Sequence, residues 1–100
     1  MADSATIERT KVNTKLKPPS LYKVIYLNDN VTTQQFVVES LIGFFDHTPE
    51  SAHEVMLQVH EEGAGIAATL PYEIAEQKGV EVTVLARGNG FPLQIKLEPE

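Results

Sequence analysis

Two histidines, His53 and His60, are the first residues whose type and spacing suggest chemistry. Imidazole nitrogens can ligate metals and exchange protons. Seven residues separate the pair by about 10 Å along a helix axis, and no third ligand lies nearby in the sequence, so a metal centre is not favoured. His60 follows Met56 by four residues, which places both on one helix face. His60 is therefore either a structural histidine or a hydrogen-bonding group beside an apolar pocket.

A second polar cluster occupies the predicted strand-to-helix turn, Asn28-Asp29-Asn30-Val31-Thr32. It offers two amide oxygens, one carboxylate and one hydroxyl. The turn has no glycine and carries a negative charge, so it does not suit an anion, whereas an ammonium group would find acceptors. The alternative is ordinary turn chemistry, in which Asn and Asp bond their own backbone and Thr32 caps the next helix.

Charge and composition narrow the function classes. The 100 residues carry a formal charge of −6 and no cysteine, and no Lys or Arg lies between Lys23 and Lys78. Such a surface repels phosphates, so nucleic-acid binding is not expected; it suits a cationic ligand or simply maintains solubility. The sequence shows no catalytic motif, no apolar run of about 20 residues and no signal-peptide pattern. These features exclude a membrane span, give catalysis little support, and are consistent with a cytoplasmic protein that has no cofactor.

Residues 1–20 are predicted to form a flexible N-terminal extension and residues 21–98 the core domain, because large apolar residues become frequent only from Leu21 onward. The core is predicted to begin with a buried strand over Leu21–Leu27. Thr32 is then predicted to open a helix, with Gln35 completing a capping box. The apolar stripe of this helix comprises Val37, Leu41, Phe44 and Phe45.

The rest of the chain predicts two further helices and two further strands. Thr48-Pro49-Glu50 is typical of a helix start, and Gly63 of a helix end. A strand over residues 65–70 follows, with Ile66, Ala68 and Leu70 on its buried face. Pro71 is predicted to start the third helix, whose stripe comprises Ile74, Ala75, Val82 and Leu85. In the last strand Phe91, Leu93, Ile95 and Leu97 alternate with other residues. Pro92 has no N–H to donate to a neighbouring strand, so this strand is predicted at a sheet edge.

This order, β-α-α-β-α-β, predicts an α/β (α+β) fold in which a small three-stranded sheet packs against three helices. Four runs of the sequence, which together span residues 17–98, also resemble a known family in their order: KPPSLYKVIYLND, VMLQVHEEG, PYEIAEQKG and FPLQIKLE. They resemble the bacterial Clp protease adaptor family, ClpS. The resemblance implies a monomer with an antiparallel sheet, similar in fold to the C-terminal domain of the ribosomal stalk protein.

The resemblance also implies a function without catalysis. Members of the family bind N-degrons, that is, proteins whose first residue is Leu, Phe, Tyr or Trp. They deliver these substrates to ClpA, the AAA+ unfoldase of the ClpAP protease, and the N-terminal extension takes part in delivery. The implied ligands of the substrate's α-amino group are Asn28, Asp29, Asn30 and His60. The implied pocket for the first side chain comprises Val31, Thr32, Gln34, Val37, Met56, Val59 and Leu93. The implied unfoldase-docking residues are Glu73 and Lys78.

Two energetic contributions would then select a chain end. Charge-assisted hydrogen bonds to the amine and burial of an apolar side chain are each worth about 1.5–3 kcal/mol. His60 must have a ring nitrogen without a proton to accept from the amine, so acid pH is expected to weaken binding.

The chain departs from the family pattern at three positions: Asn30 replaces a usual Asp, Gln34 a frequent Met, and Val31 a common Tyr. These changes predict weaker amine recognition or an altered first-residue preference. Two other functions stay open: a domain that docks on an unfoldase without reading N-termini, and a metal-dependent or carboxylate hydrolase.

Overall fold

The computed structural model describes residues 20–100, which form three strands and three helices in the predicted order. The elements are β1 Leu21–Leu27, α1 Gln34–Phe45, α2 Pro49–Glu62, β2 Ala64–Pro71, α3 Tyr72–Gly88 and β3 Gln94–Pro99. The predicted α+β fold is thus confirmed. The extension predicted for residues 1–20 lies outside the described residues except for Ser20. None of the helices within residues 20–100 is long and apolar enough to cross a membrane.

β1 is the central strand of the sheet, which has the order β2-β1-β3 and is antiparallel throughout. The predicted edge position of the last strand is therefore confirmed. The strand begins only at Gln94, so Phe91 and Leu93, which were predicted to belong to it, lie before it. The pairing of β1 with β2 continues past the end of the strand, because the backbone N–H of Asn28 donates to the carbonyl of Gly63 at 3.0 Å. This bond holds the start of the polar turn against the end of α2.

β2 differs from its predicted burial pattern because it contains a bulge. The register with β1 shifts between Val24 and Ile25, so β2 has one extra residue there and its side-chain alternation changes phase. Gly65 and Ala67 consequently face the core, whereas Ile66 is 41% exposed. The prediction of a buried Ile66 was wrong.

α1 begins one residue later than the sequence predicted. The side-chain oxygen of Thr33, not that of Thr32, accepts a hydrogen bond from the backbone N–H of Phe36 and caps the helix. The predicted capping box is absent here, since Gln35 donates to Glu39 instead. The hydroxyl of Thr32 is used elsewhere, because it donates to the carboxylate of Asp29.

α2 begins and ends as predicted. Thr48 caps it in a reciprocal arrangement with Ser51, Pro49 occupies the first turn, and Gly63 ends it with a φ of 91°. This left-handed backbone conformation is one that glycine adopts without strain.

α3 packs on the sheet through small residues, which the predicted stripe did not anticipate. Its buried residues are Ala75, Gly79, Val82 and Ala86. Ile74 and Leu85 were predicted to be buried but are 44% and 45% exposed. Both lie about 100° around the helix axis from the buried row, so a helix packed through alanine and glycine leaves them outside.

Candidate functional site

A hollow of about 280 Å³ opens between the turn after β1, the start of α1 and the C-terminal half of α2. Its lining residues are Asn28, Asp29, Asn30, Thr32, Gln34, Val37, Met56, Val59 and His60. All of them belong to the two groups that the sequence resemblance assigned to the amine and the side chain. The fold thus brings together residues 28–37 and residues 56–60, which are distant in the sequence.

Asp29 shapes the polar turn by accepting three hydrogen bonds. Its Oδ1 accepts from the backbone N–H groups of Val31 at 2.8 Å and Thr32 at 2.6 Å, and its Oδ2 accepts from the Thr32 hydroxyl at 2.7 Å. Partial burial alone would raise the pKa of the Asp29 carboxyl, but these bonds and the charge of Arg87 outweigh it and lower the pKa. Asp29 is therefore an anion at neutral pH, held rigidly beside the hollow. Asp29 thus bonds the backbone of its own turn, as the turn-chemistry alternative predicted, but Thr32 does not cap the helix as that alternative also predicted.

The polar part of the hollow favours a positively charged ligand. Asn28 and Asn30 are exposed on either side of Asp29, and His60 is exposed in the last turn of α2. The C-terminal end of a helix carries partial negative charge on its unpaired carbonyls, so α2 adds to the negative potential. The lining of this hollow contains no Lys or Arg. An ammonium group would thus meet acceptors and a favourable field.

The floor of the hollow is apolar and well supported. Val37, Met56 and Val59 are all buried. The hydroxyl of Ser40 donates to the carbonyl of Val37 at 2.9 Å. Ser40 has only one hydroxyl hydrogen, so in its 2.7 Å contact with Tyr26 the Tyr26 hydroxyl is the donor. This chain of hydrogen bonds fixes α1 on the sheet.

Sequence reasoning missed Tyr26 and Ser40 as supporting residues. The available signal was a tyrosine inside a buried strand and a serine three residues after Val37. Such a pair indicates a polar partner within the core.

Two residues assigned to the side-chain pocket lie outside the lining of the hollow. Val31 is 55% exposed on the turn. Leu93 is only 1% exposed, and its carbonyl accepts from the Arg87 guanidinium at 2.8 Å just before β3. Leu93 therefore serves as core in this structure.

The residues assigned to unfoldase docking lie on α3, away from the hollow. Glu73 is exposed and Lys78 is half-buried. Five residues correspond to about 140° around a helix axis, so the two side chains leave α3 on different sides.

Nothing within residues 20–100 resembles a metal centre. That region contains no group of three or more His, Asp and Glu side chains that could hold a metal ion. His53 does not line the hollow that contains His60.

Comparison with known proteins gives consistent matches over nearly the whole chain. The family model described as ATP-dependent Clp protease adaptor protein ClpS matches residues 17–96. A ClpS adapter from Shewanella denitrificans is 42% identical over 100 residues, which is 98% of each chain. One from Campylobacter jejuni subsp. jejuni is 45% identical over 100% of both chains. The solved structure of Agrobacterium tumefaciens ClpS2 bound to L-phenylalaninamide is similar with a TM-score of 0.79 and 37% identity, over 83% of this chain and 100% of that chain.

Proposed function

Because this chain belongs to the ClpS family of ATP-dependent Clp protease adaptors, we propose that it binds N-degron substrates by their first residue and delivers them to the ClpA unfoldase of ClpAP. As a member of that family, the protein is an adaptor and not an enzyme. One observation carries the proposal: a single hollow combines exposed acceptors with a buried apolar floor.

Recognition of the free α-amino group is assigned to Asn28, Asn30 and His60, with Asp29 supplying charge. A protonated N-terminus has up to three N–H donors and a positive charge. An internal peptide bond has one N–H donor and no charge. Each charge-assisted hydrogen bond contributes about 1.5–3 kcal/mol. Asp29 uses its oxygens mainly to hold the turn, so its effect on the amine is chiefly through charge.

Selection of the first side chain is assigned to the floor of Val37, Met56 and Val59, with Thr32 and Gln34 at the rim. Burial of a Leu or Phe side chain contributes about 1.5–3 kcal/mol. The related ClpS2 protein binds L-phenylalaninamide, which carries both a free amine and a benzyl side chain. We assign the same class of ligand to this hollow: N-terminal Leu, Phe, Tyr and Trp. Because Gln34 is polar and Asn30 uncharged, the ranking among these residues is expected to differ from that of relatives with Met and Asp.

Delivery is assigned to surfaces outside the hollow. Glu73 and Lys78 on α3 are proposed to contact ClpA, and residues 1–20 to take part in the transfer of the substrate. The proposed setting is the cytoplasm, and the proposed active form is a monomer that binds its partners transiently.

Titration with matched peptides tests this function. The peptides differ only in the first residue, which is Leu, Phe, Tyr, Trp, Ile or Ala, and one further peptide carries an acetylated Phe. The proposal expects tight binding of the bulky group and loss of binding on acetylation. Indifference to both the first residue and acetylation would instead indicate a domain that docks on an unfoldase without reading N-termini.

A further inference from the structure

β3 leaves one side of its backbone unpaired within residues 20–100. The hydrogen bond at the end of β3 shows which of its residues bond to β1: the N–H of Glu100 donates to the carbonyl of Leu21 at 3.0 Å. Backbone groups of a strand point alternately to its two sides, so the even-numbered residues of β3 bond to β1 and the odd-numbered ones point away. Pro99 has no N–H, so the outward donors of β3 are the N–H groups of Ile95 and Leu97.

An apolar groove of about 230 Å³ lies beside this open edge, between α3 and β3. Its walls include Val80 and Val84, which are 56% and 65% exposed, and the side chains of Ile95 and Leu97. An open strand edge next to exposed valines is a surface that proteins normally cover.

The sequence contains a segment with the pattern of a strand that would cover it. Thr10, Val12, Thr14 and Leu16 alternate with Lys11, Asn13, Lys15 and Lys17. We propose that residues 10–17 pair with the free edge of β3 as a fourth strand, with Val12 and Leu16 over the groove. Composition alone predicts a flexible extension for residues 1–20. The alternation within residues 10–17 and the unpaired edge of β3 instead support docking of this part of the extension on the core domain.

The length of the connection fixes the direction of this strand. The chain enters the sheet at Leu21, beside the end of β3, and β3 separates β1 from the proposed strand. The two strands would therefore lie about 10 Å apart. Four residues from Lys17 to Leu21 span up to about 13 Å, so residues 10–17 must run parallel to β3 and end at the same end of the sheet.

Charge complementarity supports the same occupant. Residues 9–17 contain Arg9, Lys11, Lys15 and Lys17 and no acidic residue, whereas residues 21–100 hold four basic and twelve acidic side chains, a net charge of 4 − 12 = −8. With the apolar residues on the groove, the lysines would lie on the opposite face of the sheet. By the alternation of β3, Lys96, Glu98 and Glu100 belong to that face, and Lys96 already pairs with Glu98 at 2.7 Å. The complementarity therefore lies in the net charges of the two parts of the chain rather than in this face alone.

Amide hydrogen exchange of the full-length protein, measured by NMR, tests this inference independently of peptide binding. The double variant Asn13→Pro/Thr14→Pro removes two neighbouring backbone N–H groups, which point to opposite sides of the proposed strand. Asp3→Pro removes a backbone N–H outside residues 10–17 and serves as the control. We expect the Ile95 and Leu97 amides to exchange at least about tenfold faster in the double variant than in the wild type or Asp3→Pro. The Lys96 and Glu98 amides, which bond to β1, serve as internal references and should not change.

Two results would overturn the inference. Equal exchange of Ile95 and Leu97 in the wild type and the double variant would show that residues 10–17 do not cover the edge. Protection that decreases on dilution of the wild type would show that a second copy, rather than the chain's own segment, occupies it.

Discussion

Gly65 on β2 lies directly against Val59 on α2, so closely that a Cβ atom at position 65 would be 2.8 Å from Cγ2 of Val59. The same atom would lie 3.2 Å from the backbone carbonyl oxygen of Val55. The absence of a side chain at position 65 therefore sets how closely the sheet approaches α2. Because Val59 lines the hollow, this contact also sets the position of its apolar floor.

Substitution Gly65→Ala is expected to destabilise the protein and weaken peptide binding together. The methyl group must displace Val59 or the α2 backbone, which costs about 1–3 kcal/mol. Gly43→Ala is the matched control, because a Cβ atom there meets nothing within 4 Å and alanine in a helix is better by about 0.5–1 kcal/mol. Urea unfolding and titration with a Phe-initiated peptide measure both effects. A Gly65→Ala protein as stable as the wild type would contradict the proposed close packing.

His60→Ala is expected to weaken binding of a Leu- or Phe-initiated peptide by about tenfold, the cost of one charge-assisted hydrogen bond. His53→Ala is the control, since His53 is exposed on the same helix but does not line the hollow. Fluorescence anisotropy gives both affinities, and circular dichroism checks that the fold is intact. Equal losses in the two variants would remove His60 from the amine site.

Asn30→Asp is expected to strengthen binding of a free N-terminus by about three- to fivefold at low salt, because it adds a negative charge near the amine at an exposed position. The gain should shrink at high ionic strength, where exposed charges are screened. Asn30→Ala separates the effect of the charge from that of the amide oxygen. If Asn30→Asp leaves the affinity unchanged at low salt, position 30 does not face the amine.

His47→Ala is expected to lower the free energy of unfolding by about 1–3 kcal/mol without affecting peptide binding. Its Nε2 donates to the carbonyl of Ala67 at 2.6 Å, and its Nδ1 pairs with Ser51 Oγ at 2.8 Å, so the ring ties the junction of α1 and α2 to the bulge of β2. In the alanine variant the carbonyl of Ala67, a buried residue, loses the N–H donor of the imidazole ring. Unchanged stability would mean that water replaces the ring at no cost.

The sequence predicted the element order and the residues around the hollow because both depend on local patterns and on a specific family resemblance. It wrongly predicted that Ile66 is buried. The bulge that exposes Ile66 arises from the pairing of β2 with β1, and the sequence of β2 by itself does not indicate it. Ile74 and Leu85 were mispredicted for a related reason. Hydrophobicity favours burying large residues, whereas the close packing of α3 on the sheet selects Ala75 and Gly79. The assignment of Leu93 came from the resemblance, and its burial depends on the path of the chain before β3.

Tyr26 is expected to make stability fall at alkaline pH. Burial raises the pKa of its hydroxyl to about 12, whereas the unfolded chain titrates near the ordinary value of 10.0. Below about pH 10 Tyr26 is protonated in both states, and its contribution to the free energy of unfolding is constant. Between about pH 10 and 12 only the unfolded state loses the proton, so the free energy of unfolding falls by about 2–3 kcal/mol. Tyr26→Phe removes this dependence and leaves all other titrating groups in place. Urea unfolding of both proteins from pH 8 to 12 should show the wild type losing about 2–3 kcal/mol relative to Tyr26→Phe as the pH rises. A difference that stays constant over this range would contradict the assignment.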